Sequence, residues 1–240
     1  MLLFLFNLLY NKFRWKKMFD RLEIIIGDKT KTLKEKTILL LGLGGVGGHV
    51  FEALVRSGIG TIIVIDNDII DITNLNRQLL ATKNNIGNQK VDEAENRKNE
   101  INKDCNVIKI KKFITEDNLD SIFNQKIDFV IDAIDTIKTK KALIKKCLEE
   151  NIKIISVMGT GNKMHPELLE ITEITKTSYD PLAKEIRKYL NKEKIKGKLP
   201  VISSIEKPLK TEKIGSNAFV PATAGLLAAS YVINELIKED

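Results

Sequence analysis

Apolar residues in this chain fall in short unbroken runs, separated by stretches where they recur at helical spacing. The first run, Thr37 to Leu41, ends in glycines. Gly47 to Ser57 then carries apolar residues at helical intervals, and Thr61 to Ile65 is apolar again. Strand, helix, strand in that order is a βαβ unit. Further runs at 106–110, 128–134 and 153–157 alternate with polar or amphipathic stretches such as 136–150, where Ala142, Leu143 and Cys147 share a face. The alternation predicts an α/β fold, doubly wound, with a mainly parallel sheet between two helical layers. The last third changes character: 168–174 reads as a strand, a lysine-rich middle follows, and 222–237 reads as a packed terminal helix. Thr223, Ser230, Asn234 and Glu235 within that helix would be costly against lipid, so it is expected to make core or dimer contacts and no stable membrane span.

At 240 residues and 43% apolar content the chain can bury one substantial core, so residues 18–240 are expected to form a single domain. Residues 1–17 read as an N-terminal extension, explained by a mis-assigned start or by a short surface-seeking tail. Its opening MLLFLFNLLY is too short to span a bilayer and has neither a basic flank nor a small-residue cleavage site. Cys105 and Cys147 stand alone with no CxxC pair, which argues against a disulfide framework and a four-thiolate zinc site and fits a reducing, cytoplasmic setting. The net charge of +7 permits a polyanionic partner, although a lysine-biased genome would produce it equally well.

Candidate chemistry begins at Gly42-Leu43-Gly44-Gly45-Val46-Gly47, between the first strand and its helix. Missing Cβ atoms there let the backbone turn tightly and aim amides and a helix N-terminus at phosphate. Asp66 closes the second strand, placed to accept hydrogen bonds from ribose hydroxyls. Together these make a Rossmann-like adenine-nucleotide site at the carboxyl ends of the strands. On these residues alone NAD is the stronger expectation. Arg77 and Lys90 shift the balance towards ATP, because added cations make sense where charge builds on a leaving pyrophosphate; surface Arg and Lys are the plain alternative.

The strings GLGGVGG, DND, NLNRQ, GNQKVD and DAIDT, in that order across residues 20–160, resemble the ubiquitin-activating-like superfamily, which includes the adenylating enzymes of molybdopterin and thiamine biosynthesis. The resemblance implies that Gly42, Gly44, Gly45, Gly47, Asp66 and Asp68 hold ATP, with Asn74, Arg77, Gln78 and Lys90 at its phosphates. It places Mg²⁺ at Asp135, a residue that also suits a helix N-cap. It further implies a homodimer in which Arg21 reaches into the partner's site, where a plain surface arginine is the alternative. Arg21, Arg77, Lys90 and Asp135 are thus the catalytic candidates.

Three further phrases, MGTGNK at 158–163, KTSYDPLA at 176–183 and GSNAFVP at 215–221, are similar to the bacterial tRNA threonylcarbamoyladenosine dehydratases over nearly the whole chain from Met18. That resemblance implies ATP-dependent activation of the carboxylate of threonylcarbamoyladenosine at position 37 of tRNA, followed by cyclisation with loss of water. Asn162 and Lys163 become candidates for substrate binding. The charge agrees: residues 184–213 hold ten Lys or Arg against four acids, +6 of the chain's +7, within a basic segment at about 176–215 suited to tRNA phosphates. Tyr179 and Tyr189 are the nearby aromatics. The alternatives are an adenylyltransferase for a sulfur-carrier or ubiquitin-like protein, and a silent adaptor in a sulfur relay or with another protein partner. His49 and His165 are assigned no role.

Overall fold

The computed structural model describes residues 17–238, so the N-terminal extension lies outside the described residues except for Lys17. Two short helices, α1 (Asp20–Ile26) and α2 (Lys29–Lys34), lead into strand β1 (Thr37–Leu41), helix α3 (Gly47–Arg56) and strand β2 (Thr61–Ile65). Helix α4 (Lys90–Ile101) precedes β3 (Asn106–Ile110), and β4 (Phe129–Asp132), α5 (Ile137–Glu149) and β5 (Ile154–Val157) follow. The last third supplies β6 (Leu169–Glu173), α6 (Pro181–Lys192), β7 (Pro200–Ser204) and α7 (Val220–Ile237).

One seven-stranded sheet runs in the order β3-β2-β1-β4-β5-β7-β6. It is parallel except at its edge, where β6 pairs antiparallel with β7, from Leu169 opposite Ser204 to Glu173 opposite Pro200. The expected doubly wound sheet is therefore present. β1 and β2 are buried over their last four residues because side chains alternate into two cores. Ile38, Leu40, Ile62 and Val64 face Phe51 and Leu54 of α3 and Ala224, Ala228 and Val232 of α7. Leu39, Leu41, Ile63 and Val130 face Leu143 and Ile144 of α5 and Ala183 and Ile186 of α6.

The lysine-rich middle, left without elements by the sequence pattern, contains both α6 and β7. α6 begins with Asp180 as N-cap, its side chain accepting from the Ala183 amide, and Pro181 in the first turn, and it buries Ala183, Ile186 and Leu190 while its lysines stay outside. Among the described residues α7 is the one helix long and apolar enough to cross a bilayer. Eight of its residues are nevertheless buried, in keeping with the expected core contacts. Gly225 lets α7 approach α3 closely, since a Cβ there would collide with the Val46 carbonyl.

Candidate nucleotide and substrate site

Strand order reverses between β1 and β4, and a ligand crevice is expected beyond the carboxyl ends of the strands at such a point. A cleft of about 1290 Å³ lies there. It collects most of the residues singled out from sequence: Gly42, Gly44, Gly45, Asp66, Asp68, Asn74, Arg77, Gln78, Lys90, Asp135, Asn162 and Lys163 all line it. Gly47 does not line it. Its place is beneath the loop, where a Cβ would strike the Gly42 carbonyl. Arg21 also lies outside the cleft of its own chain, exposed on α1.

The glycine loop follows directly from β1. Gly42 has φ +89°, a left-handed conformation that favours glycine, and a Cβ there would sit 2.8 Å from the Ala133 carbonyl. Asp66 holds the loop from the next strand, accepting from the Leu43 amide at 2.7 Å and the Asp68 amide at 2.8 Å. Burial pushes its carboxyl above the ordinary value, while Lys90 and those two amides pull it back. A carboxylate has about four lone-pair sites, so Asp66 retains capacity for ribose hydroxyls.

The cations are already placed. Lys90, almost wholly buried, reaches Asp68 at 2.8 Å, and that carboxylate is itself well exposed to the cleft. The Arg77 guanidinium donates to the Thr73 carbonyl and to Asn76 Oδ1, both at 2.9 Å. Asn74 is buried and caps its own short helical turn by accepting from the Asp71 amide. Asp135 is exposed at the start of α5, with no hydrogen-bond or ion-pair partner among the described residues. Thr136, the N-cap of α5, makes no side-chain capping bond.

Two buried ion pairs, not anticipated from sequence, support the opposite wall; Lys163 and Asp180 line the cleft, whereas Asp132 and Lys140 do not. Asp132, the first acid of DAIDT, accepts from Lys140 at 2.7 Å and from Ser156 Oγ at 2.6 Å, and neither charged side chain is exposed at all. Lys163 pairs with Asp180 at 3.1 Å, with side-chain exposures of 1% and 0%. The Lys163 amine is therefore engaged by Asp180 and by the Gly159 carbonyl, within the lining of the cleft. Asn162 is similarly engaged: its backbone is left-handed at φ +57° and its Oδ1 accepts from the Gly215 amide at 2.6 Å. Asn217 Nδ2 donates to the Lys163 carbonyl, and its Oδ1 accepts from Val220 at the start of α7. The three phrases beyond the nucleotide half thus interlock. Spacing could not show this, because the partners lie 17 and more residues apart.

Residues 19–239 match the ThiF family. The chain is also 42% identical to a tRNA threonylcarbamoyladenosine dehydratase of Bacillus subtilis (strain 168), with 92% of this chain and 95% of that protein aligned. The chain belongs to the ThiF family, in its tRNA threonylcarbamoyladenosine dehydratase branch. The dehydratase of Escherichia coli (strain K12) is 34% identical over 88% of this chain and 81% of its own. The crystal structure of E. coli TcdA in complex with ATP superposes with a TM-score of 0.89 at 32% identity, covering 94% of this chain and 96% of that one. E. coli MccB, at 23% identity and a TM-score of 0.67, shares the fold.

The other titratable candidates contribute little. Cys105 and Cys147 are buried, and burial pushes the first thiol to about 11 and the second further up, so neither is a thiolate near neutral pH. Burial lowers His49, whereas His165 is raised by its 2.8 Å contact with Glu167. Neither histidine lines the cleft.

Proposed function

We infer that this protein is an enzyme that uses ATP to dehydrate threonylcarbamoyladenosine in tRNA to its cyclised form. One observation carries the reading. The segments bearing the dehydratase phrases close the same cleft that holds the glycine loop and Asp66, in a chain aligned over nine-tenths of its length with a dehydratase.

A substrate carboxylate oxygen attacks the α-phosphorus of ATP, pyrophosphate leaves, and an acyl-adenylate forms. A nitrogen of the same modification then attacks the acyl carbon, the bond to AMP breaks, and the nitrogen's proton is released. The net change is loss of one water from the nucleoside. Positioning does much of the work, because nucleophile and electrophile already belong to one molecule. Gly42, Gly44 and Gly45 leave room for the phosphates, and Asp66 accepts from the ribose. Arg77 and Lys90 lie where charge collects on the departing pyrophosphate. No protein thiol is needed.

Mg²⁺ fits Asp135. Among the described residues there is no cluster of three or more ligating side chains, but this cation is commonly held by one or two carboxylates, ATP phosphates and water. Bound there it would offset phosphate charge. Arg21, exposed and outside the lining of its own cleft, suits a homodimer in which it completes the partner's site, and Lys207, Lys210 and Lys213 beside the mouth suit tRNA phosphates in a cytoplasmic enzyme. The decisive assay is incubation with ATP, Mg²⁺ and tRNA carrying threonylcarbamoyladenosine, followed by nucleoside mass spectrometry. A product lighter by one water, formed only with ATP, is expected. Its absence, together with exchange of pyrophosphate into ATP driven by a sulfur-carrier protein, would replace this substrate with the alternative one.

A further inference from the structure

Both buried lysines hold backbone carbonyls of one short segment. Lys140 donates to the Val157 carbonyl at 2.9 Å, and Lys163 donates to the Gly159 carbonyl at 2.6 Å. Each lysine is neutralised by its own buried aspartate, Asp132 or Asp180. The segment cannot rotate without breaking a bond from a buried ammonium group, which is costly. It is therefore pinned at two points, on the cleft wall formed by residues 157–163.

Peptide geometry gives the pinning a direction. A trans peptide is planar, with its C=O and N–H pointing opposite ways. No cis peptide occurs among the described residues. The Gly159 carbonyl points into the buried Lys163–Asp180 pair, so the Thr160 N–H of the same peptide unit points away from it. Among the described residues the Gly159, Thr160 and Gly161 amides donate to no acceptor, whereas Met158 and Asn162, which bracket them, bond Ile202 and Gly215, and of the three it is Thr160 that the Gly159 carbonyl orients. Thr160 and Gly161 both line the cleft. An ammonium on the Gly159 carbonyl also polarises that peptide and strengthens Thr160 as a donor. The loop emerges from β5, two strands from β1 and its glycine loop, a lateral distance of about 10 Å at the usual strand spacing.

We propose that the Thr160 and Gly161 amides form an oxyanion hole for the acyl oxygen during ring closure, with Lys163 as the positioning residue that aims them. This rests on the dehydratase reading. When the nitrogen adds to the acyl carbon, the C=O electron pair moves onto oxygen, and the two amides receive that charge. Collapse of the adduct returns the pair and expels AMP. Adenylation itself places no such charge on the acyl oxygen, so the two half-reactions depend on the hole to different extents.

Thr160→Pro deletes one donor. Substrate-dependent pyrophosphate release is expected to persist while ring closure falls about a hundredfold or more, the usual effect of losing one such donor, so that acyl-adenylate accumulates. Lys163→Met should give the same split more weakly, with KM for ATP unchanged. Equal losses in both half-reactions would overturn the proposal. Since the proline variant is open to misfolding, the wild-type protein labelled with ¹⁵N-glycine and ¹⁵N-threonine provides a second measurement. A non-hydrolysable acyl-sulfamate of the modified nucleoside should shift the Thr160 and Gly161 amide resonances downfield, and ATP alone should not. Equal shifts with ATP alone, or none with the analogue, would mark the loop as a phosphate cradle or as mere scaffold. If the wild type yields neither acyl-adenylate nor cyclised nucleoside, the functional reading itself has failed.

Discussion

At the scale of single residues the cleft depends on a few polar groups whose environments oppose their charge. Asp66 is the clearest, with a carboxyl that burial holds above its usual range. The sign follows directly. A raised carboxyl pKa means that the folded protein prefers the neutral acid, so stability from this group is complete below the unfolded value and declines as pH rises through the folded one. In the proposed binding mode ATP acts in the other direction, because its ribose would donate to the carboxylate. Affinity for ATP should therefore weaken as pH falls through the raised value, sooner than an ordinary aspartate would allow. Calorimetric titration of ATP across the acid range should show this limb, and Asp66→Asn should bind weakly with no such limb.

Residue identities were legible where covalent geometry limits the choice of amino acid. Gly42 needs positive φ, and Gly47 needs its missing Cβ, so the loop announced itself. Asp132 and Asp180 did not. An acid that binds a ligand and an acid that neutralises a buried lysine look alike in a string of letters, and only the fold shows that Asp132 is sealed while Asp135 is open.

At the scale of elements the same ion pairs act as joints. Lys140 of α5 ties the end of β4 to the end of β5 through Asp132, Ser156 and the Val157 carbonyl. Lys140→Met would leave Asp132 charged and unpaired in a dry interior, at a cost of about 3–5 kcal/mol. Urea unfolding should report that loss, and adding Asp132→Leu should recover much of it, because removing both charges leaves no stranded ion. Strands β1 to β5 and helices α3 and α5 were readable because their apolar runs are unbroken or evenly spaced, whereas the short α1 and α2 and the polar α4, with few apolar residues, carried no such pattern. α6 and β7 were hidden by the lysines on their exposed sides, although Asp180, Pro181 and the spacing of Ala183, Ile186 and Leu190 carried the signal for α6. Edge strand β6 was readable as a strand, but its antiparallel direction was not, since direction leaves no periodicity.

At the scale of the whole molecule, charge and symmetry make separate predictions. Lys207, Lys210 and Lys213 are exposed next to the cleft residues Pro208 and Ile214, so KM for tRNA is expected to rise steeply with salt while KM for ATP changes little. Replacing Lys207, Lys210 and Lys213 by glutamate should weaken tRNA binding and flatten that salt dependence by about two in log–log slope. Steady-state kinetics over a salt series measures both. For the proposed homodimer, Arg21→Ala and Arg77→Ala should each be inactive alone. Mixing them under subunit exchange should restore activity, because one site of each hybrid then has both arginines. No recovery after verified exchange would confine Arg21 to its own chain.

The glycine loop also has a timetable. Pro221, at the start of α7, packs against Gly45 and lines the cleft, yet the ribosome adds it 176 residues after that glycine (221 less 45). For most of its synthesis the nascent chain carries a phosphate loop with no seat and a second wall with no lock, since Asn217 arrives equally late. A chain truncated before Asn217 would lack both contacts and is expected to bind ATP weakly, which calorimetric titration of such a variant would check.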